Sequence, residues 1–391
     1  MSRTRALLRD ASAFNRLLLP LAWILIHFYA ARPLLTALRM EGLPLGLGLL
    51  VVFALSALSF LPFQAGRATS LRVRSALHWI GYISVSLVAT LLVLVMTADV
   101  FRSLYWAIRG MTFLASGLSL PVLHSTSFSP ELLALAIAMA AVGLVQARRP
   151  RVRRVAIPIE NLPSALDGFR IVQLSDVHVG PGIGASFVRS IVRRTNKLRP
   201  DLVAITGDLV DGYAAELSEA VQPLAGLSSA EGVYYVTGNH EYYWRASEWL
   251  PEIAALGIIF LKNDHRVIER GDARLTVGGV TDPAGRDSHK PDLSRAFAGA
   301  PPDGVRILLA HRPQAAQAAS QMGVHLTLSG HTHGGQFFPF NLLIRFFQPI
   351  VAGLHAIGST WLYVNRGTGY WGPPSRLGVG GEITLLELRS A

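Results

Sequence analysis

HLTLSGHTHGGQ, residues His325 to Gln336, is a short apolar run that stops at a glycine and then presents two histidines one residue apart, His331 and His333. Upstream the same arrangement recurs: RIVQLSDVH closes on Asp176 and His178, and LVAITGDLVD on Asp208 and Asp211. VYYVTGNHE closes on Asn239, His240 and Glu241, and VRILLAH on His311. Runs rich in Val, Ile and Tyr, bounded by turn residues, read as strands. RLTVGGV, WLYVNRG and ITLLEL extend the series, and Ser186–Leu198, Ala214–Leu227, Ala246–Leu256 and Pro313–Met322 read as helices between them. The pattern is that of a layered α/β domain, with two sheets for so many strands.

Five runs therefore end in a metal-capable cluster, and strand C-termini are where α/β folds gather their sites. Gly207, Gly238 and Gly330 suit the tight turns that aim such side chains inward. Each cluster alone is weak, because a D-x-H or an H-x-H arises by chance in many proteins. Five in order, each at a strand exit, resist a purely structural explanation. Cysteine is absent, so disulfides and thiolate ligands are excluded and any metal is held by nitrogen and oxygen.

These residues resemble the calcineurin-like metallophosphoesterases, whose pattern is D-x-H, G-D-x-x-D, G-N-H-[DE], a lone His, then G-H-x-H. The resemblance runs from about Phe169 to Leu388 and is closest to a membrane-associated branch ending its last motif in HTHGGQ, with a later Asn365-Arg366-Gly367. That branch resembles phosphodiesterases and UDP-diacylglucosamine pyrophosphatases. The resemblance implies that Asp176, His178, Asp208 and His333 hold one divalent cation, and Asp208, Asn239, His311 and His331 a second, with Asp208 shared. Two such ions about 3.5–4 Å apart acidify a shared water into a hydroxide that attacks phosphorus in line. His240 would face the substrate as the catalytic acid or charge stabiliser, and Asp211 would orient a histidine. Four His and two Asp suit Mn, Fe or Zn without choosing among them. Protein phosphatases of the superfamily carry arginines after G-D-x-V-D and before G-N-H-E; here Gly212 and Thr237 stand there, which argues against a phosphoprotein and for a diester or pyrophosphate.

Charge divides the chain. The formal +11 belongs to residues 1–154, which hold 16 Lys+Arg against 4 Asp+Glu, whereas residues 155–391 hold 20 against 21. A nucleic-acid enzyme would carry its positive charge on the working domain, so a nucleic-acid partner is not expected. Leu17–Leu38, Leu43–Phe63, Ala76–Ala98 and Pro130–Gln146 approach the roughly 20 apolar residues that a span needs. Segment 103–128, broken by Gly110, Gly117 and Pro121, reads as interfacial or folded back. A cleaved signal peptide is the weaker reading, since no small-x-small pattern follows Leu21–Tyr29. Arginine clusters precede the first stretch, follow the second and follow the fourth, which places the C-terminal domain in the cytoplasm of a multi-pass inner-membrane protein.

The expected organisation is a transmembrane region of about four helices over 1–150, a linker and first strand over 151–168, and a layered α/β/β/α metallophosphoesterase domain over 169–391. Segment 337–357, FFPFNLLIRFFQPIVAGLHAI, is either a cap on the sheet or a surface for lipid. Tyr242, Tyr243, Trp244, Tyr370 and Trp371 are core residues or cleft walls. The expected function is cleavage of a phosphodiester or pyrophosphate in a membrane-delivered, lipid-linked substrate. A tethered diesterase for soluble substrates and a non-catalytic membrane sensor stand as alternatives.

Overall fold

The computed structural model describes residues 20–32, 35, 45–65, 70–116 and 129–391. The chain divides into two compact units, Met1–Val142 and Gly143–Ala391. The described part of the first unit is helical: α1 (residues 20–32), α2 (Leu45–Ala65), α3 (Leu71–Ser116) and most of α4 (Ser129–Arg148). Beside small apolar clusters such as Val88, Leu91 and Val95, it leaves large apolar side chains outside and polar groups inside. Phe53, Phe101 and Leu114 are exposed while His27, Ser59 and Ser84 are buried, with Ser59 Oγ 2.8 Å from His27 Nε2. Arg32 reaches Asp99 at 2.8 Å, and the Tyr29 hydroxyl donates to the same carboxylate at 2.6 Å. Polar groups paired inside an apolar exterior are the arrangement that helices adopt in lipid.

Arg72–Ser116 and Glu131–Arg148 are long and apolar enough to cross a membrane, and Gly46–Pro62 is a shorter apolar helix. One expectation is corrected here. Residues 103–116 do not fold back but continue α3, a helix of 46 residues. A lone Gly110 costs only about 1 kcal/mol in a helix interior, and no proline interrupts the run. At 1.5 Å per residue such a helix reaches about 69 Å, over twice a ~30 Å hydrocarbon core. Gly117 and Pro121 lie outside the described residues.

The second unit is built on two six-stranded sheets. In the first, β1 (Arg151–Ile159) pairs parallel with β12 (Glu382–Ser390), which runs antiparallel to β2 (Arg170–Leu174). β3 (Leu202–Thr206), β4 (Val233–Val236) and β5 (Ile259–Phe260) continue parallel from β2. In the second, β6 (Asp264–Arg270) is antiparallel to β7 (Ala273–Gly279), and β8 (Val305–Leu309), β9 (Leu326–Ser329) and β11 (Thr360–Val364) follow in parallel. β10 (Gly353–Ile357) closes the far edge as a hairpin with β11.

Alternation within each strand sends side chains to two cores. Ile171, Leu202, Val236 and Leu386 of the first sheet meet Val277, Ile307, Leu328 and Tyr363 of the second. The opposite face of the first sheet, with Val172, Val203 and Ile205, packs on α5 (Ala185–Asn196), α6 (Ala214–Val221) and α8 (Ala246–Ala255) through Ile191, Leu217 and Trp249. α9 (Leu293–Ala296) and α10 (Ala315–Ser320) cover the outer face of the second sheet around Phe297 and Leu308. The result is an α/β/β/α sandwich in which β2, β3, β4, β8 and β9 all point their C-terminal ends at one edge. Because Leu328 is fully buried between the sheets, Leu328→Ala should cost about 2–5 kcal/mol, read as a lower thermal midpoint of the detergent-purified chain; an unchanged midpoint would contradict this packing.

Candidate metal centre

Every one of the five strand exits delivers its cluster to that edge. Asp176, His178, Asp208, His331 and His333 all adopt positive φ, between 49° and 71°, five of the eleven non-glycine residues that do so among those described. Left-handed backbone costs on the order of 1 kcal/mol for such residues, and here it turns each side chain back over the strand end. The glycines divide by role. Gly207 has φ +87°, so its turn needs the left-handed form. Gly238 and Gly330 instead need the absence of a Cβ: one would lie 2.2 Å from Asp208 Oδ1, the other 2.0 Å from Ser175 Oγ.

The side chains converge around Asp208. His311 Nε2 lies 3.2 Å from Asp208 Oδ2 and 3.2 Å from His331 Nδ1. His178 Nε2 lies 3.0 Å from His333 Nε2 and 3.9 Å from Asp208 Oδ2, and His333 Nε2 lies 3.4 Å from Asp176 Oδ1. Asp176, His178 and His333 form one group able to hold a metal ion, Asp208, His311 and His331 another, and His178, Asp208 and His240 a third that shares members with both. The buried Oδ1 of Asn239 and Nδ1 of His178 have no hydrogen-bond partner. Orphaned buried acceptors and imidazole nitrogens packed against one another fit cations held by N and O donors.

Electrostatics agree. Burial holds His178 and His331 near about 4, and burial with the Arg376 cation holds His333 well below the usual imidazole range, so these rings stay neutral and able to bind a metal. For His311, burial opposes the charge, but Asp208, Asp176 and Asp282 outweigh it and push the ring up to about 10. Burial likewise opposes the charge on Asp208, yet His311, His178 and His240 hold it well below the ordinary carboxylate range. Desolvation raises Asp176 to about 6. His311 Nδ1 faces the Thr206 carbonyl at 2.8 Å and must donate to it, which aims Nε2 at Asp208.

His240 stands beside this cluster, its Nε2 4.0 Å from Asp208 Oδ2 and its Nδ1 3.1 Å from Asp211 Oδ1. Asp211 also accepts from Trp244 Nε1 at 2.7 Å, so it sits behind His240 rather than among the metal-capable donors. Above them opens a cleft of about 460 Å³ walled by Tyr243, Trp244 and Trp371, with no Arg or Lys in its lining. Tyr242 and Tyr370 take other posts. Tyr370 is buried with its hydroxyl on the Gly182 carbonyl, and Tyr242 bonds with Thr237 and His289. Gly212 packs on Leu217, and Thr237 is fully buried, so neither position reaches the cleft.

Two residues support the site in ways that the sequence did not show. Glu241 is buried and accepts from the backbone N–H of Asp208 (3.1 Å), Leu209 (2.7 Å) and Gly238 (2.6 Å), tying two donor-bearing turns together. It stands in the G-N-H-E cluster, so a signal existed. Arg376 is fully buried and donates to the carbonyls of His333 (2.8 Å), Arg366 and Gly369, with Nη2 3.0 Å from His333 Nδ1. Its isolated position carries no local pattern.

An α/β/β/α sandwich with this donor set at one edge defines a metal-dependent phosphoesterase. The Calcineurin-like phosphoesterase profile matches residues 169–335. The chain is 38% identical over 328 residues to a transmembrane protein with metallophosphoesterase domain from Danio rerio, covering 80% of this chain and 75% of that one. A Bos taurus protein of the same description is 41% identical over 268 residues, covering 65% and 60%. An uncharacterized metallophosphoesterase of Campylobacter jejuni is 34% identical, covering 62% and 64%. The chain belongs to the calcineurin-like phosphoesterase family. The zebrafish alignment of 328 residues is longer than the unit Gly143–Ala391 and so reaches into the N-terminal unit; with the apolar helices, these relatives point to a membrane protein.

Arg376→Ala should weaken Mn²⁺ binding about 10- to 100-fold, measured by titration calorimetry on the full chain. Arg376→Lys should fail to restore it, since an ammonium cannot span three carbonyls. Unchanged affinity in both variants would reduce the arginine to packing.

Proposed function

We propose that this phosphoesterase hydrolyses a phosphodiester or pyrophosphate bond in a membrane-delivered substrate. The observation that carries the reading is the cleft, whose lining among the described residues is aromatic and holds no Arg or Lys, the nearby Arg312 being paired with Asp282 at 2.8 and 3.1 Å. A phosphomonoester dianion calls for cationic clamps; a diester carries less charge and a second substituent that aromatic walls can receive. Asp176, His178, Asp208 and His333 would hold one divalent cation and Asp208, Asn239, His311 and His331 a second, drawn from Mn, Fe or Zn. Bound there, the cations supply a water acidified towards neutral pH and charge stabilisation at phosphorus.

The chain's own groups do the rest. His240 is held by Asp211 with its Nε2 free to give a proton to the leaving oxygen, and Trp244 fixes the carboxylate that holds it. Burial lowers the affinity of His240 for a proton, but Asp211 and Asp208 outweigh it, so the protonated form persists above the ordinary imidazole range. The arginines that follow α4 favour the cytoplasmic side for this unit.

The detergent-purified full chain with Mn²⁺ should cleave an aryl phosphodiester faster than the matching monoester and lose activity with chelator. His240→Ala should lower turnover about 10²- to 10⁴-fold and Asp208→Ala should abolish it. Preference for the monoester would overturn the diester reading, and an active Asp208→Ala would overturn the site.

A pH profile tests the His240–Asp211 pair separately. An acid must be protonated, so the rate falls as pH rises through the His240 pKa. Asp211→Asn removes the charge that raises that pKa, and the alkaline limb should move to lower pH. An unmoved limb would remove His240 as the acid.

A further inference from the structure

Segment 337–357 divides: Ile350 and strand β10 (Gly353–Ile357) pack on the second sheet as a cap would, whereas Phe340–Phe347 does not. Phe337 is buried, but beyond it α11 (Phe340–Leu343) and the 3₁₀ turn Ile344–Phe346 hold Phe340, Leu342, Leu343, Phe346 and Phe347 in the open, the last two at 83% and 80% exposure. Five large apolar side chains within eight residues, around the exposed Arg345, form a patch that water disfavours. Its root is nonetheless well fixed. Phe338 donates its N–H to Leu377 at 2.9 Å, the Phe337 and Phe340 rings meet edge to face at 5.3 Å, and Gly335 leaves room for the Asn341 backbone.

The segment that fixes this root also meets the last turns of α4, Gly143–Arg148, which belong to the same unit. Arg376 donates its N–H to the Gly143 carbonyl at 3.0 Å, and a Cβ on Gly143 would strike Ser375. Just before this segment Trp371, a wall of the cleft, exchanges hydrogen bonds with Gln336 at 2.9 and 2.6 Å. The exposed Arg149, Arg151, Arg153 and Arg154 follow α4 directly. Thus the apolar patch, one wall of the cleft and the basic end of an apolar helix long enough to cross a membrane are bound to one stretch, residues 371–377.

We propose that Phe340–Phe347 enters the lipid interface beside the point where α4 leaves it, as a second membrane contact that sets the mouth of the cleft at the bilayer surface. The occupant is a bilayer with anionic headgroups: acyl chains take the phenylalanines and leucines, and headgroups take Arg345 and the arginines after α4. A second copy of the chain would suit the apolar residues but would gain nothing from that run of positive charge. The inference rests on the membrane-borne substrate reading only for why the cleft lies there.

Cysteine is absent from the chain, so Phe346→Cys gives a single labelling position. The full-length variant, carrying an environment-sensitive fluorophore, is reconstituted in vesicles of neutral and anionic phospholipid doped with acyl-chain nitroxides. Label at 346 should lose most of its emission, with shallow nitroxides quenching more than deep ones, as an element about 5–10 Å into the interface requires. Label on Glu269→Cys, on the exposed strand β6, should stay bright. Undiminished emission at 346 would overturn the proposal, whether the face is left in water or, as a cystine between two copies would reveal, covered by a second chain. Equal quenching at both positions would overturn it as well, since the contact would then be unspecific. Hydrolysis of a soluble aryl diester is read in the same samples: a quenched but inert chain would sink the proposed reaction and leave the membrane contact standing.

Discussion

Two imidazole nitrogens facing each other at 3.0 Å, His178 against His333, and two more at 3.2 Å, His311 against His331, impose the constraint on which the rest of the second unit depends. The first pair is neutral and the second carries its proton on His311; in both, ring nitrogens that could serve a cation are turned on one another. The neighbouring carboxylates sharpen the demand. Asp208 and Asp176 are both buried, and each raises the cost of the other's charge while lowering that of a positive guest. Left-handed backbone at five donor residues, glycines with no room for a Cβ, and the triple amide grip of Glu241 all serve to hold this unfavourable gathering in place. The stable part is the pair of sheets; the strained part is the edge they share.

The division explains how much could be read from sequence. Strands β2, β3, β4, β8 and β9 are apolar, β-branched and end on polar residues, so strand and site announced each other. β5 is two residues long, β6 reads DHRVIER with only Ile268 buried, and β10 is largely half-exposed; edge strands lack the apolar faces that make a strand visible, and these three were not anticipated. Of the four helices expected between strands, α5 and α8 lie within two residues of expectation, whereas α6 and α10 are shorter because Gln222–Gly226 and the flanks of α10 tighten into turns. Residues 103–116 were misjudged because glycine was given a breaker's weight inside a long apolar helix.

The donor residues themselves were legible because each carries its own short motif. What could not be read were groups whose role exists only after folding. Arg376 follows His333 by 43 positions and earns its place through three carbonyls that the closed chain brings around it. Asp211 was expected to orient a histidine; the histidine across from it, at 3.1 Å, is His240, which no spacing along the chain could name. The glycines were anticipated for turns, whereas Gly238 and Gly330 answer to crowding between neighbouring strand ends. Spacing along a chain cannot report that.

Charge completes the physical picture. Residues 155–391 are nearly neutral overall and the cleft wall is largely aromatic, so beyond His240 and the neighbouring Arg312 the positive charge that a phosphate needs would come from what the donor cluster holds. Attraction and discrimination are thereby separated. Bound cations would attract any phosphate ester, while on the proposed reading the aromatic wall would favour one with a second substituent to lay against it. Trp371 belongs to that wall and to the hydrogen-bonded loop beneath the apolar segment alike, so the surface proposed to receive the substituent is continuous with the surface proposed to meet lipid. A substrate presented by its lipid end would meet the wall already oriented, which spends binding energy on position rather than on capture.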